Sequence, residues 1–79
     1  MIIKILGSGC SNCKKLHALT EDAVEDMKVS ADIQKVEDIQ KIMAYGIMRT
    51  PALVIDEKVK AFGRIPSKDE IKKFINEEL

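Results

Sequence analysis

Three short strand-like segments separated by helically periodic ones constrain this chain more than any other feature. The three are Ile2-Ile3-Lys4-Ile5-Leu6, Ala31-Asp32-Ile33-Gln34-Lys35-Val36 and Ala52-Leu53-Val54-Ile55. Each is too short for a helix of ordinary length and reads as a strand, the first being the most β-branched. Between the first two, from Cys10 to about Lys28, Leu16, Leu19, Ala23 and Met27 recur at helical spacing while Glu21, Asp22, Glu25 and Asp26 can face water. Between the second and third, Ile39, Ile42 and Met43 share one face of a short helix, and Gly46 suits a left-handed stop. A tight turn at Asp56-Glu57 returns Lys58–Phe62 antiparallel to the third strand. Ser67-Lys68-Asp69-Glu70 is a capping box, and Ile71, Phe74 and Ile75 form the apolar stripe of the helix behind it. The order is therefore β-α-β-α-β-β-α. The first two strands, joined by a helix, should be parallel, with the terminal hairpin antiparallel beside them.

Length and charge narrow the function. At 79 residues, a single domain over 1–79 is expected, without room for a separate cofactor-binding unit. The 13 Lys+Arg are matched by 13 Asp+Glu. Nucleic-acid binding, which draws most of its affinity from a basic excess, is not expected. No apolar run approaches the roughly 20 residues that span a bilayer, so no membrane association is expected. The opening segment lacks the apolar length and small-residue cleavage site of a secretory signal, which makes the cytoplasm the expected compartment.

The chemistry-bearing feature is Cys10-Ser11-Asn12-Cys13, placed directly after a strand and opening a helix. Two cysteines this close make a poor structural staple, because closing so short a loop removes little chain entropy. A thiol at a helix N-terminus meets the positive end of the macrodipole and unpaired N–H groups, which favour the thiolate. Cys10 would then be the nucleophile, with Cys13 one turn later able to attack a mixed disulfide. Lys14 and Lys15 add positive charge, and Gly7 and Gly9 would leave the approach to Cys10 open. Two other readings stand beside this one. Cys10, Cys13 and His17 could offer three metal ligands, although no fourth is evident nearby, and the pair could be structurally inert. His17 also fits a partly buried helix position without a chemical role.

The second informative stretch is Tyr45-Gly46-Ile47-Met48-Arg49-Thr50-Pro51-Ala52-Leu53-Val54. Proline is tolerated at the first residue of a strand, and only about 5–6% of X–Pro bonds are cis. Taken with the C-x-x-C, however, Tyr-Gly-Ile-x-x-x-Pro-x-Leu, Gly63 and the capped Ser67-Lys68 helix resemble thioredoxin, and the length and element order resemble glutaredoxin. The whole chain is similar to the small thioredoxin-like redox-active disulfide proteins of archaea and bacteria. The resemblance implies an α/β, three-layer thioredoxin-like fold: a four-stranded mixed sheet flanked by three helices. It implies a thiol–disulfide oxidoreductase in which Cys10 attacks, Cys13 resolves, and Pro51 is a cis-proline. It also implies that Thr50 offers its backbone to an extended partner peptide, with Arg49 assisting by charge. The partners implied are disulfide-containing proteins and a flavin-dependent, thioredoxin-reductase-type reductant, with no cofactor beyond the dithiol and a monomeric chain.

The chain also departs from those families. It has no tryptophan, and Lys4 stands where thioredoxin carries a buried acid six residues before the first cysteine. The Gly-Gly and following acid of glutaredoxin's glutathione site are absent around Gly63-Arg64, which favours the flavin enzyme over glutathione as reductant. The alternative family is the copper or zinc metallochaperones, whose Gly-x-x-Cys-x-x-Cys loop is similar to Gly7–Cys13 and would use Cys10 and Cys13 as ligands. Those domains end on a strand, whereas this chain is expected to end on a helix. A further alternative is a docking module that binds partners without catalysis.

Overall fold

The computed structural model describes residues 1–8 and 11–79. Seven elements follow in the order expected: β1 (Ile2–Leu6), α1 (Ser11–Met27), β2 (Asp32–Val36), α2 (Ile39–Ala44), β3 (Ala52–Ile55), β4 (Lys58–Phe62) and α3 (Lys68–Glu77). The sheet order is β2-β1-β3-β4. β1 runs parallel to β2 and antiparallel to β3, and β3 pairs antiparallel with β4. This is the four-stranded mixed sheet with three helices of a thioredoxin-like α/β fold. Among the described residues, no helix is long and apolar enough to cross a membrane.

Strand alternation divides the core into two layers. Ile3 and Ile5 of β1 and Leu53 and Ile55 of β3 pack with Leu16 and Ala23 of α1 and Ile71 and Ile75 of α3. On the opposite face, Leu6, Ala52 and Val54 pack with Ile42 and Ile47. Every residue of β3 is buried, as a strand covered on both faces requires.

The thinner layer departs from the expected pattern. Ile39, Ile42 and Met43 lie at helical spacing, but only Ile42 reaches the core; Ile39 and Met43 are 65% and 61% exposed. A helix of six residues is too short to bury a continuous stripe. The same layer accommodates Lys4, whose Nζ donates to Tyr45 Oη at 2.9 Å and to Glu57 Oε1 at 2.6 Å. Tyr45 in turn donates to Glu57 Oε2 at 3.0 Å. The hydrogen bonds to Glu57 and Tyr45 raise the Lys4 pKa above its ordinary value, and Lys4 lowers that of Glu57.

Two ends show how local chemistry stops an element. α1 closes in a Schellman motif: Lys28 takes φ 53°, Val29 N donates to Val24 O, and Lys28 N donates to Glu25 O. Lysine fills the left-handed position where glycine is usual. α3 opens on the capping box expected from sequence, with the Ser67 hydroxyl accepting from Glu70 N and Glu70 accepting from Ser67 N.

Candidate functional site

The site residues sit where β1 ends, α1 begins and the 49–51 segment enters β3. Leu6 ends β1, and Gly7 continues the ladder by donating its N–H to Val36 O at 2.9 Å. Gly7 is buried. A Cβ placed on it would overlap Cys13 Sγ and lie 3.7 Å from Thr50 Cβ. The missing side chain therefore makes room for the Cys13 sulfur, and the same spot brings Thr50 alongside. Gly7 thus packs against the second cysteine, and its expected role in leaving the approach to Cys10 open lies outside the described residues.

Cys13 lies in the first turn of α1, only 6% exposed and disulfide-bonded. Cys10 and Gly9 lie outside the described residues, so the expected place of Cys10 at the helix start does too. Pro51 follows a cis Thr50–Pro51 peptide bond and is buried, and its carbonyl accepts from Gly63 N at 3.0 Å. Thr50 itself is exposed beside Cys13. Arg49 is also exposed, but its aliphatic stem lies over Gly63, where an added Cβ would stand 3.2 Å from Arg49 Cβ. Gly63 takes φ +71°, so this crossing relies on glycine for both space and backbone angle.

His17 stands one turn after Cys13, with its Nδ1 2.8 Å from Glu21 Oε1. Its side chain is 24% exposed, which agrees with the expected partly buried helix position. A cavity of about 120 Å³ lies behind Cys13, lined also by Gly7, His17, Lys14, Lys35 and Glu37. On the other side of Thr50, a groove of about 270 Å³ is formed by Ser8, Ile42, Ile47 and the exposed Ile39, Met43 and Met48. Sequence spacing could not join Lys35 and Glu37 to Cys13, because the parallel β1–β2 pairing creates that proximity. Lys4 is held away from the sulfur by Glu57 and Tyr45, on the face of β1 opposite Ile5. Among the described residues, no three His, Cys, Asp or Glu side chains form a group that could hold a metal ion.

Residues 1–76 match the family model described as a thioredoxin domain. A protein named thioredoxin from Methanothermobacter thermautotrophicus is 36% identical over 76 residues, covering 96% of this chain and 99% of its own. A thioredoxin of Methanocaldococcus jannaschii is 35% identical over 72 residues, covering 91% of this chain and 83% of its own. A further Methanothermobacter protein, named probable thioredoxin, is 29% identical over 73 residues. With a family match over residues 1–76 and relatives matched over most of their length, the chain belongs to the thioredoxin-domain family.

Proposed function

We propose that this protein is a thiol–disulfide oxidoreductase that exchanges disulfides of partner proteins through Cys10 and Cys13. The observation that carries the reading is the disulfide-bonded Cys13, in the first turn of α1, beside Thr50 of the cis Thr50–Pro51 bond. The relatives named thioredoxin support the same chemistry.

In the reducing direction, the Cys10 thiolate attacks one sulfur of a substrate disulfide. The S–S bond breaks, the other substrate sulfur leaves as a thiolate, and a mixed disulfide remains. The Cys13 thiolate then attacks the Cys10 sulfur, and the second substrate sulfur leaves. Two electrons have passed to the substrate, and the Cys10–Cys13 pair is oxidised. A flavin-dependent reductase of the thioredoxin-reductase type restores the dithiol, so the protein needs no bound cofactor of its own. An extended substrate segment docks beside Cys13 by main-chain hydrogen bonds to Thr50, with Pro51 shaping the approach. The stem of Arg49 packs on Gly63, which leaves Arg49 a secondary contributor to docking. The protein acts as a monomeric single domain in the cytoplasm.

The test is Cys10→Ser against turnover of a disulfide-bonded protein substrate with dithiothreitol as electron source. Turnover should vanish while partner binding persists, and Cys13→Ser should accumulate the mixed disulfide. A Cys10→Ser protein that keeps full turnover would overturn the reading. Wild-type protein that binds partners without any turnover would mark it as a docking module instead.

A further inference from the structure

The proposed reaction requires the Cys13 thiol to lose its proton before it can close on Cys10, and the sulfur is buried at 6% exposure. Burial in apolar surroundings favours the neutral thiol, so a nearby base has a task to perform. The cavity behind Cys13 supplies the candidates. Lys14 of α1 and Lys35 of β2 are cations at neutral pH and can only help the thiolate once formed. Glu37, just beyond β2, is a carboxylate and a weak acceptor for a thiol proton. β1 contributes Ile5 and Gly7, which do not titrate. His17 remains, with a ring nitrogen that can accept a proton and a place in the lining of the same cavity.

The geometry fixes the place of that imidazole. Nδ1 lies 2.8 Å from Glu21 Oε1, a contact that braces the ring from its solvent side. Nε2 is the ring nitrogen not engaged by Glu21. His17 and Cys13 are one helical turn apart on the same face of α1 and line the same cavity. Its volume of about 120 Å³ is ample for water.

We propose that His17, oriented by Glu21, takes the proton from Cys13 as Cys13 resolves the mixed disulfide. This rests on the reading of Cys10 and Cys13 given above. The S–H bond of Cys13 breaks and the proton passes through cavity water to Nε2. The sulfur pair of electrons forms the new S–S bond to Cys10, and the substrate sulfur departs with the electrons of the old one. His17 then returns its proton to solvent or, in the reverse direction, to the departing Cys13 thiolate. The lysine of β1, Lys4, takes no part, because it is engaged with Glu57 and Tyr45 across the sheet.

The experiment uses the reduced full chain and one equivalent of 5,5′-dithiobis(2-nitrobenzoate). A first, concentration-dependent release of thionitrobenzoate reports attack by Cys10. A second, concentration-independent release reports closure by Cys13. In the wild type the second phase should rise with pH as the proton acceptor is freed. His17→Gln should slow it by about tenfold or more at neutral pH and leave the first phase within about twofold. Its pH profile should then differ from that of the wild type, since the thiol must lose its proton unaided. Glu21→Gln should slow the second phase less, and added imidazole should restore part of the rate in His17→Ala. A second phase in His17→Gln with wild-type rate and pH profile would overturn the proposal. So would equal slowing at every pH with no response of His17→Ala to imidazole, which would mark a merely structural role. If the wild type shows no second phase at any pH, Cys13 does not resolve and the underlying functional reading falls as well.

Discussion

Replacing Gly7 with alanine tests the packing on which the site depends. Gly7 has no positive φ, so alanine can adopt its backbone angle without strain. The whole effect is therefore steric, and its direct target is Cys13 Sγ, which occupies the space a Cβ would take. Retreat is limited on one side by Thr50, whose Cβ lies 3.7 Å from the same point. Overpacking of this kind costs about 1–3 kcal/mol. In a domain of this size each kcal/mol lowers Tm by about 4–8 °C, so a fall of about 4–24 °C is expected. Sulfur exchange should suffer as well, because a displacement on the order of 1 Å at a reacting atom can slow a reaction about a hundredfold. The control is Gly46→Ala, where φ is +75° and no atom lies within 4 Å of an added Cβ. There the penalty is backbone strain alone, about 1–2 kcal/mol, with exchange unchanged. Thermal unfolding of the oxidised proteins and the rate of their reduction by dithiothreitol read both quantities. A Gly7→Ala protein with wild-type Tm and wild-type reduction rate would refute the contact; lower Tm in both variants with slower exchange only in Gly7→Ala would support it.

Other expectations concern the scaffold. Ser67→Ala removes the hydroxyl that accepts from Glu70 N at 3.2 Å and should lower stability by about 1 kcal/mol in urea titration, without altering exchange. Acid should destabilise the fold through its paired carboxylates. Lys60 and then Lys58 hold Glu78 below its ordinary pKa, and Lys68 and then Lys72 do the same for Asp26. A pKa depressed in the folded state gives stability above the unfolded value that is lost as pH falls through the folded one. Tm should hold from neutrality to about pH 5 and decline below it. Glu78→Gln should flatten part of that decline, since the Glu78 and Lys60 side chains are only 10% and 12% exposed where they meet.

The element order was readable because each segment carries its own period and stop. Ala52–Ile55 is apolar throughout and became the doubly covered strand; Ser67 and Glu70 announced the start of α3 three residues apart. Asp56 and Glu57 formed the tight turn, both with positive φ, although neither is glycine. What the sequence concealed depends on contacts between distant segments. Lys28 ends α1 in a conformation that lysine does not advertise. Ile39 and Met43 have helical spacing, but nothing local reveals that α2 is too short to bury both. Lys4 looks misplaced in a central strand until Glu57, 53 positions away, meets its charge. At the site, the dithiol spacing and Pro51 were legible as motifs. The use of Gly7 by Cys13, and the convergence of His17, Lys35 and Glu37 on one cavity, required the sheet to assemble first.

The sheet order leaves β2 and β4 with one unpaired side each. An open side of this kind can recruit a strand from a neighbouring molecule, the first step of many aggregates. β2 carries Asp32 and Lys35, and β4 carries Lys58 and Lys60. The register between β3 and β4 also slips between Leu53 and Val54, which interrupts the ladder and twists the outer strand. Both borders thus combine charge or irregular geometry with short length. A crowded solution of these molecules meets electrostatic and geometric resistance at the seams where sheets would otherwise grow into one another.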